Sequence, residues 1–238
     1  MSRRVILLAQ ISDPHLRLDD DTSQPALAAA VARVLELRPA PAAVLVTGDI
    51  ANSGDPAEHA RADELLAPLP MPVLKLAGNH DLLGAPLQYV AEAGGLRIVV
   101  CDTSQPGRDD GVLDVEWVAA QLVPDVPTVI AMHHPPVAIG LPWLDEIGLP
   151  ADQSAALGAL LERSPQVKRV VAGHVHRAVT AVLGGCAVVT CASTNIQAAL
   201  DFEATEMVLA AEPPSFLVHA WLGAGLVTHV QQVSTKRL

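Results

Sequence analysis

The chain has 238 residues, half of them hydrophobic and only 3% aromatic, so its length suits one layered α/β core built from alanine, valine and leucine. Its 15 basic and 26 acidic residues give a net charge of −11, which argues against non-specific binding to a nucleic-acid backbone. A phosphate substrate stays compatible with this charge, because bound dications would reverse the sign of the potential locally.

The chain starts with a short apolar run after two arginines. We interpret this run as a first core strand and not as a signal peptide, because Asp13 and His15 follow where a cleavage site would lie. Nowhere does the sequence approach the roughly 18–20 apolar residues of a membrane span. Cys101, Cys186 and Cys191 lie in apolar, strand-like surroundings, which is typical of buried thiols in a reducing compartment. We therefore predict a cytoplasmic protein without membrane association.

Strands and helices alternate in the prediction for the first two thirds of the chain. The predicted strands are residues 4–11, 43–46, 73–76, 96–101 and 128–132 and the apolar run 170–172. The predicted helices are residues 24–38, 56–66, 113–122 and 152–163. After His176 the pattern changes to short β-like segments separated by glycine turns, at 178–183, 187–191, 206–211, 216–222 and 226–233.

This order of elements predicts an α/β fold of two stacked β-sheets with helices on the outside. We find no internal repeat, linker or low-complexity segment, so we predict a single domain over residues 1–238. The strands from about residue 178 onward are expected to complete the second sheet.

Polar motifs follow five of the predicted strands at the points where the strands end. The motifs are Asp-Pro-His at 13–15, Gly-Asp at 48–49, Gly-Asn-His-Asp at 78–81, His-His-Pro-Pro at 133–136 and Gly-His-Val-His at 173–176. A lone histidine is usually an ordinary core or surface residue, but ligands in α/β proteins gather at strand ends. Because residues two apart in an extended segment point to the same side, we expect His174 and His176 to face one point.

The motifs supply a set of side chains with metal-binding chemistry. The candidate ligands are Asp13, His15, Asp49, Asn79, His133, His174 and His176. Oxygen and imidazole ligands without thiolate suit Mn, Fe, Zn or Co ions. This number of ligands is too large for one ion and suits two, with one carboxylate bridging ions ~3.5–4 Å apart. Such a pair activates water and neutralises phosphate oxygens, so the predicted reaction is hydrolysis at phosphorus.

Neighbouring residues are predicted to support this chemistry. We expect the ring of His80 to reach the substrate instead of a metal, where it stabilises charge or protonates the leaving group. Asp81 either orients His80 and raises its pKa or is only a turn residue. His134 is expected to face away from His133. The loop 135–150 is a lid or a plain surface loop, no substrate-binding residue is assigned, and the isolated His59, His219 and His229 receive no role.

The ordered set of motifs resembles the calcineurin-like metallophosphoesterases over residues 11–176. The His-His-Pro-Pro form and the tail at 213–221 and 226–229 are similar to the bacterial branch of class III cyclic nucleotide phosphodiesterases and glycerophosphodiesterases. The resemblance implies a four-layer αββα sandwich of two mixed β-sheets flanked by helices, with a dinuclear metal site at strand ends. It also implies that a hydroxide between the two metals attacks phosphorus with help from His80. It also implies one metal held by Asp13, His15, Asp49 and His176, and another held by Asp49 as the bridge, Asn79, His133 and His174.

The resemblance therefore implies hydrolysis of a small phosphodiester, with 3′,5′-cyclic nucleotides as the first expectation. Glycerophosphodiesters, phosphomonoesters and a diphosphate-linked nucleotide stay open, whereas the intact motifs disfavour a non-catalytic metal-binding scaffold. The segment between Asn79 and His133 is short for this branch, which leaves substrate preference and a homodimer open. Few aromatic residues are available to stack a base, but Tyr89, Trp117 and Trp143 lie in candidate rim segments.

Overall fold

The computed structural model describes residues 5–81 and 87–234. Its strands are β1 (Ile6–Ile11), β2 (Ala43–Thr47), β3 (Val73–Leu76), β4 (Tyr89–Ala93), β5 (Leu96–Val100), β6 (Thr128–Ala131), β7 (Val167–Ala172), β8 (Thr180–Leu183), β9 (Cys186–Thr190), β10 (Gln197–Ala198), β11 (Leu209–Ala210), β12 (Ser215–Trp221) and β13 (Leu226–Gln232). Its helices are α1 (Ser23–Leu35), α2 (Pro56–Leu66), α3 (Val115–Gln121), α4 (Pro142–Asp145) and α5 (Ala151–Glu162).

The strands form two large mixed sheets and one small hairpin. The first sheet has the order β13-β12-β1-β2-β3, in which β1, β2 and β3 are parallel and β12 and β13 run antiparallel to their neighbours. The second sheet has the order β4-β5-β6-β7-β9-β8, with parallel inner strands and antiparallel edges. Strands β10 and β11 pair separately.

Three hydrophobic clusters give the fold its layers. Helices α1 and α2 cover the outer face of the first sheet, where Leu27 packs with Ala9. Helices α3 and α5 cover the outer face of the second sheet. Between the sheets, Leu45 packs with Ile98 and other apolar side chains from both sheets. Because each sheet buries both faces, its inner strands are almost wholly apolar. The predicted αββα sandwich of two mixed sheets is therefore confirmed.

Local signals explain where several elements begin and turn. Asp55 caps α2 by accepting a hydrogen bond from the backbone N–H of Ala57 at 2.8 Å, and Pro56 occupies the first helical position. Gly94 and Gly95 adopt positive φ angles of 60° and 81° in the tight turn between β4 and β5. The turn allows β4 to pair with β5 in antiparallel orientation. Strand β4 is not predicted from the sequence, because alanine and glutamate are weak strand formers.

The last two strands differ from the prediction. Strands β8 and β9 lie in the second sheet, but β12 and β13 extend the first sheet, where β12 pairs with β1 from Ile6 opposite Trp221 to Gln10 opposite Leu217. The physical reason is that an apolar strand pattern predicts a buried strand without specifying its partner. Helix α4 is a second difference, since it lies inside the predicted loop 135–150.

The three cysteines are free and buried in the hydrophobic interior. Burial raises the pKa of Cys101 and of Cys191, so both thiols stay protonated and act as small apolar side chains. Among the described residues, none of the helices combines the length and the apolar character that a membrane crossing requires.

Candidate metal centre

All five motifs lie at one edge of the two sheets. They follow the carboxyl ends of β1, β2, β3, β6 and β7, which are parallel strands within their sheets. Carboxyl ends of parallel strands share an edge, so side chains far apart in sequence meet there. The structure thus brings together the residues that the sequence analysis singled out from residue 13 to residue 176.

A first cluster of donor atoms comes from Asp13, His15, Asp49 and His176, whose donor atoms lie within 4.8 Å of one another. The Nε2 atoms of His15 and His176 are 3.0 Å apart. His15 Nε2 is 3.4 Å from Asp49 Oδ2, and His176 Nε2 is 3.7 Å from Asp13 Oδ1. Two imidazoles and two buried carboxylates therefore converge on one point.

A second cluster lies beside the first and shares Asp49 with it. Asp49 Oδ2 is 3.4 Å from His133 Nε2. The side-chain oxygen of Asn79 lies 3.1 Å from His133 Nε2 and 3.2 Å from His174 Nδ1. Because the same Asp49 oxygen approaches a histidine nitrogen of each cluster, this carboxylate stands between the two.

His134 also lies near His133 and His174, with donor atoms within 4.8 Å. Both of its ring nitrogens, however, already have partners. His134 Nε2 donates to the backbone oxygen of Asp109 at 3.0 Å, and His134 Nδ1 lies 2.8 Å from the hydroxyl of Thr103. With both nitrogens satisfied, His134 packs behind the second cluster, where its ring meets that of His133 edge-on.

Backbone carbonyls fix the orientation of three histidine rings. Nδ1 of His133 donates to Thr47 O at 2.9 Å, Nδ1 of His176 to Ile196 O at 2.7 Å, and Nδ1 of His80 to Asn52 O at 2.7 Å. A carbonyl oxygen only accepts hydrogen bonds, so Nδ1 carries a proton in each ring. The lone pair of the neutral imidazole then lies on Nε2, which faces the site in His133 and His176.

Burial and neighbouring carboxylates shift the pKa values of the histidines in opposite directions. Burial lowers the pKa of His15 to about 3. Burial also acts to lower the pKa of His133, but the adjacent Asp49 carboxylate outweighs it and raises that pKa to about 9. A buried carboxylate therefore draws positive charge into the cluster, and a metal cation is a stronger source of such charge than a proton.

The donor residues have unusual backbone conformations. Six described residues other than glycine have positive φ angles, and five of them belong to the first two motifs and the last: Asp13 (48°), His15 (41°), Asp49 (47°), His174 (69°) and His176 (49°). Each such conformation costs of order 1–3 kcal/mol and persists where the surroundings impose it. The concentration of these conformations at the donors supports a functional site.

These angles also correct one prediction. His174 and His176 do not extend strand β7, which ends at Ala172. Each adopts a left-handed conformation, and their rings diverge: His174 faces Asn79, whereas His176 faces Asp13. The two histidines therefore belong to different clusters instead of facing one point.

Glycines in the motifs let the loops approach closely. A Cβ atom on Gly48 would lie 2.3 Å from the ring of His133, and one on Gly78 would lie 2.2 Å from Asp49 Oδ1. Both distances are far below van der Waals contact. These two positions must lack a side chain for Asp49 and His133 to meet.

Asp81 joins the loop that carries Asp49 to the loop that carries Asn79. Its buried carboxylate accepts backbone N–H groups from Ile50 at 3.1 Å, Ala51 at 2.9 Å and Gly78 at 2.9 Å. Burial raises the pKa of Asp81, and these hydrogen bonds oppose that shift. Of the two alternatives for Asp81, these contacts fit the turn residue, here with a loop-fixing role, because the His80 ring contacts the Asn52 carbonyl instead.

The donor clusters open on a cavity of about 350 Å³. His80 lines it, and its ring meets His15 edge-on with centroids 4.7 Å apart. The apolar lining comes from two segments, with Trp143, Leu144 and Ile147 in one and Ile196, Met207 and Leu209 in the other. The polar lining includes Arg17, Asp20, Thr22, Asn52 and Asn195.

Most of these lining residues were not found from the sequence. Trp143 was noted as a candidate rim residue, and it lies in the loop 135–150 that was considered as a lid. Tyr89 and Trp117 lie elsewhere: the Tyr89 hydroxyl donates to Lys75 O, and Trp117 packs against the core of the second sheet. The sequence signal for this wall was the apolar run at Met207, and in the structure the Met207 side chain is 66% exposed.

Comparison with known proteins supports this description. Residues 6–178 match the family model of calcineurin-like phosphoesterases. The chain is 31% identical to glycerophosphodiester phosphodiesterase GpdQ of Enterobacter lignolyticus, over 94% of this chain and 90% of that protein. It is 33% identical to 3′,5′-cyclic adenosine monophosphate phosphodiesterase CpdA of Pseudomonas aeruginosa, over 81% of this chain and 77% of that protein.

A solved structure shows the same fold. A dimetal phosphatase from Danio rerio superposes with a TM-score of 0.72 at 15% identity and covers 96% of each chain. The geometry of the two clusters and the family imply two divalent metal ions. The chain belongs to the calcineurin-like phosphoesterase family, and it is a metal-dependent phosphoesterase with a dinuclear type of His/Asp site.

Proposed function

We propose that the protein hydrolyses a small phosphodiester, and that 3′,5′-cyclic nucleotides are its first substrate class. One observation carries this proposal: the apolar wall around Trp143 and the two donor clusters line the same cavity of about 350 Å³. A phosphate group at the donors would thus have an apolar group of the substrate beside Trp143. The relatives GpdQ and CpdA, both phosphodiesterases by name, support the diester class.

The donor atoms suit two cations. Metal–ligand distances of about 2.0–2.2 Å place adjacent ligand atoms about 3–3.5 Å apart. The distances of 3.0 and 3.4 Å within the first cluster and of 3.1 to 3.4 Å within the second lie in that range, and the 3.7 Å between His176 Nε2 and Asp13 Oδ1 is slightly longer. We assign Asp13, His15, Asp49 and His176 to one ion and Asp49, Asn79, His133 and His174 to the other.

Bound ions of this kind, whether Mn, Fe, Zn or Co, lower the pKa of water and neutralise phosphate oxygens. The protein supplies the geometry. Asp49 accepts the backbone N–H of His80 at 2.9 Å, so the bridging carboxylate also fixes the start of the loop that carries His80. The surrounding loops hold the donors in their positive-φ conformations.

His80 is the proposed proton donor. Nδ1 of His80 donates a hydrogen bond to the Asn52 carbonyl oxygen, 2.7 Å away. Nε2 is therefore the nitrogen available to a substrate in the cavity. A protonated Nε2 donates to the leaving alkoxide or to a non-bridging phosphate oxygen, which typically contributes a factor of ~10²–10⁴ in rate. The edge-on packing against His15 keeps the ring beside the first donor cluster.

The cavity lining supports a nucleotide over a simple alkyl ester. Trp143 offers an aromatic face, and a base stacked on such a face gains about 0.5–1.5 kcal/mol beyond its buried area. Ile147 and Met207 continue the apolar surface. Arg17 and Asn195 line the same cavity and offer hydrogen-bond donors for sugar hydroxyls or phosphate oxygens.

Glycerophosphodiesters are the second candidate, and a specific observation favours them. Asp20, Thr22 and Asn195 give the cavity a polar side that suits free glycerol hydroxyls. The relative GpdQ is a glycerophosphodiester phosphodiesterase by name. Phosphomonoesters have weaker support, since the Danio rerio phosphatase shares the fold at only 15% identity.

The test begins with metal-stripped protein reconstituted with Mn²⁺. We expect faster hydrolysis of bis(p-nitrophenyl) phosphate than of p-nitrophenyl phosphate. A preference for the monoester would overturn the diester assignment. Cyclic AMP, cyclic GMP and glycerophosphocholine are then compared by kcat/KM, and a higher value for glycerophosphocholine than for both nucleotides would replace the first substrate class with the second.

A further inference from the structure

A chain of hydrogen bonds runs through the buried middle of the first sheet toward the metal centre. It begins at Thr228 on β13, whose hydroxyl lies 2.9 Å from Nδ1 of His219 on β12. Nε2 of His219 lies 3.0 Å from the side-chain oxygen of Gln10 on β1. The side-chain nitrogen of Gln10 donates to the Thr47 hydroxyl on β2 at 3.0 Å. Four adjacent strands are therefore linked through their side chains.

The chain ends at a proposed metal ligand. The Thr47 hydroxyl donates to the Ser12 hydroxyl at 2.6 Å, and Ser12 in turn donates a short hydrogen bond to Asp13 Oδ2. Gln10 also donates to the backbone oxygen of Ala172 on the facing sheet at 2.9 Å, so both of its amide hydrogens are used. We call the side chains of His219, Gln10, Thr47 and Ser12 the buried relay.

Each hydrogen bond of the buried relay has a defined donor and acceptor. The Gln10 side-chain oxygen only accepts, so His219 Nε2 must carry a proton. His219 is neutral at ordinary pH, because burial lowers its pKa to about 3, and its Nδ1 therefore accepts from Thr228. From Thr228 to Asp13 each group donates to the next, and all donors point toward the carboxylate.

The orientation of Asp13 depends on the end of this chain. The backbone N–H of His174 donates to both carboxylate oxygens, to Oδ1 at 3.0 Å and to Oδ2 at 3.2 Å, whereas the Ser12 hydroxyl donates to Oδ2 alone. Its Oδ1 is the oxygen that faces His176 Nε2 at 3.7 Å. The Ser12 hydroxyl thus distinguishes the two carboxylate oxygens, because it engages Oδ2 while Oδ1 faces the first donor cluster.

Burying polar side chains costs desolvation free energy, which hydrogen bonds offset only in part. Gln10, Ser12 and Thr47 are 0% exposed and His219 is 1% exposed. Apolar side chains of similar shape would fill the same space between the sheets without the cost of desolvating an amide, an imidazole and two hydroxyls. The relay is thus better explained by what it does to Asp13 than by packing.

We propose that the buried relay is a positioning device that sets the rotamer and the free lone pair of Asp13 and thereby tunes the affinity of the first metal site. This inference rests on the proposed assignment of Asp13 as a ligand. The relay residues touch neither substrate nor metal, so they are positioning residues. Hydrogen bonds that orient a ligand typically contribute 10–100-fold to metal affinity.

The test measures Mn²⁺ binding to metal-stripped protein by calorimetry, together with the free energy of unfolding without metal. Thr47→Val removes the central hydroxyl and keeps the side-chain shape, Thr47→Ser restores it, and Gln10→Leu breaks the relay at a second point. Thr128→Val is the matched control, because Thr128 is equally buried and its hydroxyl donates only to Val126 O at the far end of β6.

We expect Thr47→Val and Gln10→Leu each to weaken one of two Mn²⁺ sites by ~10–100-fold, with Thr47→Ser near wild type. The double variant should bind Mn²⁺ as tightly as the weaker-binding of the two single variants, because both substitutions break the same chain of hydrogen bonds. Thr128→Val should lose stability only. Wild-type Mn²⁺ affinity in Thr47→Val, despite a loss of stability like that of Thr128→Val, would overturn the proposal.

Asp13→Asn separates this failure from failure of the ligand assignment. If Asp13→Asn binds two Mn²⁺ ions as tightly as wild type, Asp13 is not a ligand and the proposed metal assignment fails. If Asp13→Asn loses one site while Thr47→Val and Gln10→Leu keep both at wild-type affinity, only the buried relay is refuted.

Discussion

Asp49 and His133 approach each other to 3.4 Å between Oδ2 and Nε2, and the same Asp49 oxygen lies 3.4 Å from Nε2 of His15. His133 follows β6 of the second sheet, whereas Asp49 and His15 follow strands of the first. Asp49 is thus the point at which the two halves of the metal centre meet. A carboxylate in this position suits a bridging ligand.

Asp49→Ala should therefore empty both metal sites. Removing the shared carboxylate deprives each cluster of an anionic donor and leaves His15 and His133 without their common partner. Metal content per chain, measured after dialysis against Mn²⁺, should fall from two toward zero. Asp63→Ala is the control, since the Asp63 carboxylate is 56% exposed and pairs with Lys75 on the surface. Retention of two ions per chain by Asp49→Ala would show that Asp49 does not bridge.

His80→Ala should slow hydrolysis without loss of metal. The His80 ring faces the cavity from its anchor on Asn52, so its removal costs a proton donor and leaves the two clusters intact. We expect kcat to fall by ~10²–10⁴-fold with two ions still bound. His229→Ala, at an exposed position on β13, should match wild type in both measurements. A parallel loss of metal in His80→Ala would instead make His80 a ligand.

Trp143→Leu should change substrate preference. Loss of the aromatic face removes a stacking surface worth about 0.5–1.5 kcal/mol, so kcat/KM for cyclic AMP should fall about 2- to 10-fold relative to that for glycerophosphocholine. The matched control is Trp117→Leu, because Trp117 packs against the core of the second sheet. An unchanged ratio of the two kcat/KM values would remove Trp143 from the proposed nucleotide site.

Asp81→Asn should loosen the metal centre from outside it. The Asp81 carboxylate accepts hydrogen bonds from three backbone N–H groups. In Asp81→Asn an NH₂ group would replace one carboxylate oxygen, and it could not accept a hydrogen bond from an N–H group. We expect the free energy of unfolding to fall by about 1–3 kcal/mol and Mn²⁺ affinity to fall with it. Asp114→Asn is the control, because Asn caps helix α3 as well as Asp does. Equal stability of the two variants would contradict the loop-fixing role.

The sequence predicts which side chains meet at the strand ends because the signal is local. Each motif directly follows an apolar strand, and parallel strands bring such ends to one edge whatever their order in the sheet. The motif positions therefore predict that Asp13, Asp49 and His174 meet at that edge. It did not require the strand order to be known.

Other features depend on contacts that no local pattern encodes. The partner of β12 is set by long-range pairing with β1, and the cavity wall at Ile196 and Met207 depends on how residues 196–209 cross the strand ends. The left-handed conformations of His174 and His176 are imposed by the packed loops, so alternation in an extended strand gave the wrong directions. Gln10 and His219 belong to strands whose pattern predicts burial but not the hydrogen bonds between them.

His219 also predicts how stability responds to pH. Burial lowers its folded-state pKa to about 3, whereas a histidine in the unfolded chain titrates near ~6.5. Between these values the unfolded chain binds a proton that the folded protein excludes, so the contribution of neutral His219 is complete above pH ~6.5 and is lost as the pH falls toward 3. In His219→Gln this loss is absent.

The free energy of unfolding of metal-stripped wild type and His219→Gln should therefore converge on acidification. Urea unfolding at pH 7 and pH 5 should show the gap between them narrowing by about 2 kcal/mol. Metal is removed so that proton competition at the ligands is the same in both proteins. His229→Gln, at an exposed position, should follow wild type at both pH values. A gap that stays constant would mean that His219 takes up a proton between pH 7 and pH 5 in the folded protein as it does in the unfolded chain, and Nδ1 of His219 would then not accept from Thr228 at pH 5.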